Sequence, residues 1–129
     1  MKIEHIAIWV ENLEVMKEFY QKYFKASAGE KYTNSLKKFE SYFLNFESGS
    51  RIEIMCMHGI ENTPKDVTRQ KTGYAHLAME VKSKEKLNQM TEIFRKDGYT
   101  IAGEPRITGD GYYESVILDP ENNIIELVF

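Results

Sequence analysis

Four side chains able to hold a metal ion or move a proton recur at matching places in the sequence: His5 in IEHIAIWV, Glu53 in RIEIMCM, His76 in YAHLAMEV and Glu126 in IIELVF. Each interrupts a run of apolar and β-branched residues that reads as a strand. Side chains alternate between the faces of a strand, so His5 shares a side with Ala7 and Trp9 while Ile6, Ile8 and Val10 take the other. By the same rule Glu53 opposes Ile52, Ile54 and Cys56, and Glu126 opposes Ile125, Leu127 and Phe129. A carboxylate buried in mid-strand without a partner costs roughly several kcal/mol, so it is solvated, hydrogen-bonded or bound to metal. Two imidazoles and two carboxylates suit a borderline divalent ion, and the donor set alone does not choose among Zn, Ni, Co, Mn and Fe. An ion with open positions acts as a Lewis acid on a substrate oxygen, and a glutamate is a suitable base for the proton on the neighbouring carbon.

The elements that must position these residues come in two copies. The pattern His, apolar, Ala, apolar, any residue, Val aligns His5 with His76 and Ala7 with Ala78, at an offset of 71 (76 − 5). Carried forward, that offset lays the helix cap Asn12 on Ser83, Met16 on Leu87, Phe19 on Met90 and Tyr23 on Phe94, the apolar spacing of a helix that covers a sheet. Gly29 is expected just beyond the first helix, and Asp97-Gly98 stops the second. Strands are expected near Lys31–Thr33, Phe39–Phe46, Arg51–Met57, Arg106, Tyr112–Leu118 and Ile124–Phe129. Glu53 aligns with Glu126 at an offset of 73 (126 − 53), a two-residue drift that fits loop-length variation. Asp119-Pro120 and Asn122-Asn123 are turn chemistry ahead of the last strand.

The chain therefore reads as one domain over residues 1–129, with repeat 1 at about 1–57, a polar linker at about 58–71 and repeat 2 at about 72–129. The class is α+β: two paired βαβββ modules, each too small to bury its sheet face alone, forming a curved eight-stranded sheet with a metal site in its concave face. At 129 residues, with 42% hydrophobic and 29% charged, the chain can bury one ordinary core. Its net charge of −3, with signs interspersed, gives no footprint for nucleic acid, so the expected partner is a small molecule. No apolar run approaches a membrane span, and MKIEHIAIWVEN is broken by Glu4 and His5 without a small-residue cleavage site; the expected location is cytoplasmic. Cys56 is the only cysteine and reads as an inert core thiol. His58, alone in the linker, reads as a surface residue, and Arg51 and Arg106 as solvated cations. Thr108-Gly109-Asp110-Gly111 precedes a strand, not a helix, and so reads as a turn and not a phosphate cradle.

Along essentially its whole length the chain resembles the vicinal-oxygen-chelate superfamily of glyoxalase I, fosfomycin-resistance enzymes, extradiol dioxygenases and bleomycin-resistance proteins. The resemblance rests on His5, the Phe19-Tyr20 pair, Glu53 in RIEIM, His76 in GYAHLAMEV, the TGDGYYES stretch and Glu126 after DPENN. It implies a half-open barrel in which His5, Glu53, His76 and Glu126 bind one divalent ion, Zn or Ni first and Co, Mn or Fe as alternatives. It further implies a glyoxalase I-like carbon–sulfur lyase that acts on the thiol adduct of a 2-oxoaldehyde through a metal-stabilised enediolate. Glu126 would shuttle the proton, with Glu53 as the alternative base. Trp9, Met55, Met57 and Tyr113 are candidates for the substrate-binding surface, with Phe43 and Tyr112 beside them, and a homodimer is expected because family sites often form between chains.

Trp9 and Met57 stand where bacterial glyoxalase I carries a basic and a polar residue for glutathione, four places after the first His and the first Glu. Glutathione carboxylates would lose partners there, which points to another thiol or to a substrate that is no thiol adduct. Two further readings stay open: an Fe(II) dioxygenase whose facial triad is His5, His76 and one Glu, against which the second Glu argues, and a metal-free module that sequesters a flat drug.

Overall fold

The computed structural model describes residues 1–62 and 65–129, so two positions of the expected linker, 63 and 64, lie outside the described residues. The chain divides into two compact units, Met1–Pro64 and Lys65–Phe129.

The first unit runs β1 (His5–Trp9), α1 (Leu13–Phe24), β2 (Ser27–Ala28), β3 (Tyr32–Asn34), β4 (Phe39–Asn45) and β5 (Arg51–Met57). Asn12 starts α1 by accepting a hydrogen bond from the Val15 amide across 3.1 Å, which satisfies one of the amides a helix start leaves orphaned. The helix closes five residues ahead of Gly29, with Lys25 in the left-handed region at φ 56°. Its Leu13, Met16, Phe19 and Tyr20 are buried together with Leu44 of β4 and Ile52 and Ile54 of β5. The sheet order is β1-β5-β4-β2, with β3 also on β4. β1 runs parallel to β5, His5 opposite Arg51 and Ala7 opposite Glu53. A parallel pair needs a crossover, and everything from α1 to β4 supplies it.

The second unit repeats this plan: β6 (Leu77–Glu80), α2 (Lys84–Lys96), β7 (Ile101–Ile107), β8 (Tyr113–Leu118) and β9 (Ile124–Val128), in the sheet order β6-β9-β8-β7. Ser83 caps α2 through the Lys86 amide at 3.1 Å, and Gly98 follows its end at φ 89°. Leu87, Thr91 and Phe94 of α2 are buried over Ile117, Ile125 and Leu127. β6 is parallel to β9, with Ala78 opposite Glu126. His76 stands one residue ahead of β6, not within it as the alternation suggested. In this parallel register Ala75 would face Asn123, which is still engaged in the preceding turn, so the ladder has no partner to offer there. That turn is held by the Asp119 carboxylate, which accepts from the Glu121 and Asn123 amides and from Asn123 Nδ2 at 2.7 to 2.9 Å. Asn122 takes φ 60°, as the turn chemistry required.

The α+β class and the repeated module are as expected. The strands number nine among the described residues, the additional one being the two-residue β2, and each unit contributes one hydrogen-bonded sheet. None of the described helices is long and apolar enough to cross a membrane.

Candidate metal centre

In each unit the first and last strands lie side by side, so the alternation of both strands decides what stands on the face away from the helix. In the first unit β1 contributes His5, Ala7 and Trp9 to that face and β5 contributes Arg51, Glu53, Met55 and Met57. β4 adds Phe39, Ser41 and Phe43, which pair with Met57, Met55 and Glu53. Among these, His5 Nε2 lies 3.8 Å from Glu53 Oε2, too far for a hydrogen bond. Its other nitrogen, Nδ1, meets Glu4 Oε2 at 2.5 Å. The edge of the imidazole rests on Phe43, with the ring centroids 5.3 Å apart at 87°.

In the second unit His76 Nε2 lies 3.1 Å from Glu126 Oε2. Burial pushes the Glu126 carboxyl above its usual pKa; Glu114 and Asp110 push the same way, while His76 and Arg106 oppose them. Arg106 is held in turn by Glu114 at 2.9 Å and packs across Gly103, where a Cβ would come within 2.8 Å of its guanidinium. Both arginines are therefore ion-paired, Arg51 to Glu4 and Arg106 to Glu114, and are not simply solvated.

The donor chemistry of these pairs fits a divalent ion. Metal–nitrogen and metal–oxygen bonds of about 2.0 to 2.2 Å, meeting at an angle near tetrahedral or square, put the two ligand atoms roughly 3.0 to 3.5 Å apart. The separation of 3.1 Å in the second unit falls within that range, and that of 3.8 Å in the first lies 0.3 Å above it. Each unit brings together one His and one Glu; among the described residues no group of three His, Cys, Asp or Glu side chains is arranged to hold a metal ion.

Of the four candidates for the substrate surface, Trp9, Met55 and Met57 share the face of the first unit that carries His5 and Glu53, and Trp9 is 43% exposed. Tyr113 does not share the face of Glu126. Val116 pairs with Glu126, so Tyr113, odd in number like Ser115 and Ile117, falls on the opposite side. There its hydroxyl donates to Asn88 Oδ1 at 2.9 Å, and Lys84 of α2 lies over its ring. Tyr112 is exposed in the turn before β8, and the Thr108–Tyr112 segment closes as the expected turn through Thr108 N to Tyr112 O at 2.9 Å. His58 is exposed as expected, and Cys56 is half-buried on the helix side of β5. A cavity of about 280 Å³ opens beside Phe39, Glu40 and Cys56, but neither His5 nor Glu53 lines it.

Sequence reasoning missed Glu4. It was noticed only as a break in an apolar run, although an acid next to a candidate metal-binding histidine is itself a signal.

A family model, the Glyoxalase/Bleomycin resistance protein/Dioxygenase superfamily, matches residues 2–127. Among solved structures, the glyoxylase/bleomycin resistance protein/dioxygenase domain from Frankia sp. EAN1pec superposes with TM-score 0.82 at 17% identity, covering 100% of this chain and 97% of that one. The trypanothione-dependent glyoxalase I of Leishmania major gives 0.78 at 21% identity, covering 99% and 86%. Glyoxalase I from Zea mays gives 0.79 at 21% identity, covering 98% of this chain but only 44% of the maize chain. No curated protein matches the sequence significantly. At these identities the structural likenesses speak to the fold.

Proposed function

Because the chain belongs to the Glyoxalase/Bleomycin resistance protein/Dioxygenase superfamily, we propose that it is a divalent-metal-dependent enzyme, a glyoxalase I-like lyase acting on the thiol adduct of a 2-oxoaldehyde. One observation carries the reading: the same pairing of His Nε2 with Glu Oε2 occurs in both repeats, between a His that opens or immediately precedes the first strand and a Glu in the last. A mid-strand carboxylate facing a histidine once is an ordinary ion pair; its recurrence at equivalent places is what a shared ligand set predicts. In this reading His5, Glu53, His76 and Glu126 hold one ion, Zn or Ni first, and the two units act as one domain.

When bound, the ion polarises the substrate carbonyl and makes the neighbouring C–H acidic. Glu126 takes that proton on a carboxylate oxygen and returns it to the adjacent carbon. Glu53 is the alternative base. Trp9, Met55 and Met57 give the site an apolar flank that excludes water from the reacting carbons and offers nothing to the carboxylates of glutathione. The preferred adduct is therefore formed with a less charged thiol.

The test is metal analysis of the purified protein, followed by turnover of methylglyoxal with a panel of thiols. Near one ion per chain, with turnover that needs the ion and proceeds equally without oxygen, is expected. A metal-free protein whose melting temperature does not move on adding Zn or Ni would overturn the reading. Sedimentation at micromolar concentration decides the assembly, a dimer being expected.

A further inference from the structure

We propose that Glu4 is a positioning residue: it fixes the His5 ring with Nδ1–H directed to its own carboxylate, so that Nε2 presents a free lone pair toward Glu53. The inference rests on the metal reading above for its purpose, but not for its geometry. Four contacts form a closed ring around His5. The Glu4 carboxylate takes Nδ1 at 2.5 Å. Arg51 Nη2 holds the other oxygen of that carboxylate. The Arg51 guanidinium lies 4.2 Å above the centre of the Phe43 ring, and Phe43 in turn supports the imidazole edge.

The arrangement depends on where the strand begins. Consecutive residues within a strand point to opposite faces, which would keep Glu4 away from His5. β1 starts at His5, so Glu4 is free of the pleat and its carboxylate turns back onto the neighbouring ring. Arg51 is brought alongside because His5 and Arg51 are register partners, with the Arg51 amide donating to the Glu4 carbonyl at 3.1 Å.

The second repeat has none of the parts. At the offsets that align the two halves, Glu4 corresponds to Ala75, Arg51 to Ile124 and Phe43 to Val116. The two histidines are thus inequivalent by construction: His5 is oriented before any ligand arrives, and His76 lacks the same support. A carboxylate on the far nitrogen of a ligating imidazole fixes its tautomer and orientation, and losing such a partner costs about 10- to 100-fold in metal affinity.

Two arms test this on the full chain. In the first, nitrogen-15 NMR of the metal-free protein at about pH 8.5, where imidazoles are neutral, reads the tautomer of each histidine. Wild-type His5 is expected with its hydrogen on Nδ1, Glu4→Ala with the hydrogen moved to Nε2, and Glu4→Gln, whose amide oxygen still accepts, with Nδ1–H restored; His76 should not change. In the second, competition with a chromophoric chelator measures Zn affinity, expected to fall about 10- to 100-fold in Glu4→Ala and to recover most of the loss in Glu4→Gln. A His5 tautomer indifferent to Glu4→Ala, or Zn bound equally well by that variant, overturns the proposal. If the wild type binds no Zn at all, the metal reading falls, and the tautomer arm still decides whether Glu4 orients His5.

Discussion

Ser115 Oγ lies 2.7 Å from Thr91 Oγ1 in the sealed interior of the second unit. Thr91 already directs its hydroxyl hydrogen to the Leu87 carbonyl at 3.0 Å, so Ser115 is the donor and Thr91 the acceptor. The bond ties α2 to β8 in the interior, as the Tyr113–Asn88 bond does at the surface. Thr91→Val leaves Ser115 with a buried, unsatisfied hydroxyl and should destabilise by about 1 to 3 kcal/mol. Ser115→Ala removes a donor and strands nothing, because Thr91 keeps its backbone partner, and should cost about 1 kcal/mol or less. Adding Ser115→Ala to Thr91→Val should recover stability. Urea unfolding of the three variants checks the order.

Glu14 gives the fold an acid-sensitive contact. Hydrogen bonds from Lys17 first and Lys31 next, with Tyr42 adding to them against a small burial effect, bring its carboxyl down from 4.5 to about 2. A folded-state pKa below the unfolded value stabilises above the unfolded value, and the contribution is lost as pH falls from about 4.5 toward about 2. The side chain is 46% exposed, so screening limits the effect to about 0.5 kcal/mol. Glu14→Gln should therefore be slightly less stable than wild type near neutrality and indistinguishable from it near pH 2. Denaturant midpoints at the two pH values make the comparison.

Lys25 ends α1 in the left-handed region, where any side chain other than hydrogen crowds the backbone. Lys25→Gly should stabilise by about 0.5 to 1 kcal/mol. A thermal melt showing a lower midpoint would contradict this account of the helix end.

Tyr113 and Trp9 should separate cleanly in function. Tyr113→Phe loses the bond to Asn88 and should cost about 1 kcal/mol of stability with turnover unchanged within roughly twofold. Trp9 is the only tryptophan and stands on the ligand-bearing face, so its fluorescence should shift when substrate binds. A substrate that saturates turnover without touching that emission would remove Trp9 from the binding surface.

Much of this was legible because period and repetition reinforce one another. The alternation in RIEIMCM and IIELVF separates Glu53 and Glu126 from their buried neighbours without any knowledge of partners, and the caps Asn12 and Ser83 each have an oxygen within reach of an amide three residues on. What sequence could not supply was register. Tyr113 lies next to Glu114 in a motif rich in functional residue types, and only the pairing of Val116 with Glu126 reveals that Tyr113 turns toward α2. Glu4 was hidden for a related reason: its reach to His5 depends on the strand starting one residue later, a boundary that propensity does not resolve. Lys25 took the place expected of a glycine because the connection into β2 turns at once, and no residue type announced it.

The parallel pairing of β1 with β5 also orders events during synthesis. His5 and Glu53 come together only after the intervening chain has closed, so their pairing completes with the first unit and not before. The second unit, Lys65–Phe129, emerges from the ribosome after it. At about 5 to 20 residues per second its length takes several seconds to make, an interval in which the His5–Glu53 pair is formed ahead of the His76–Glu126 pair. Under the four-ligand proposal, a nascent chain in that interval would offer an ion two donors, too few to hold it firmly, and loading would wait for the second unit.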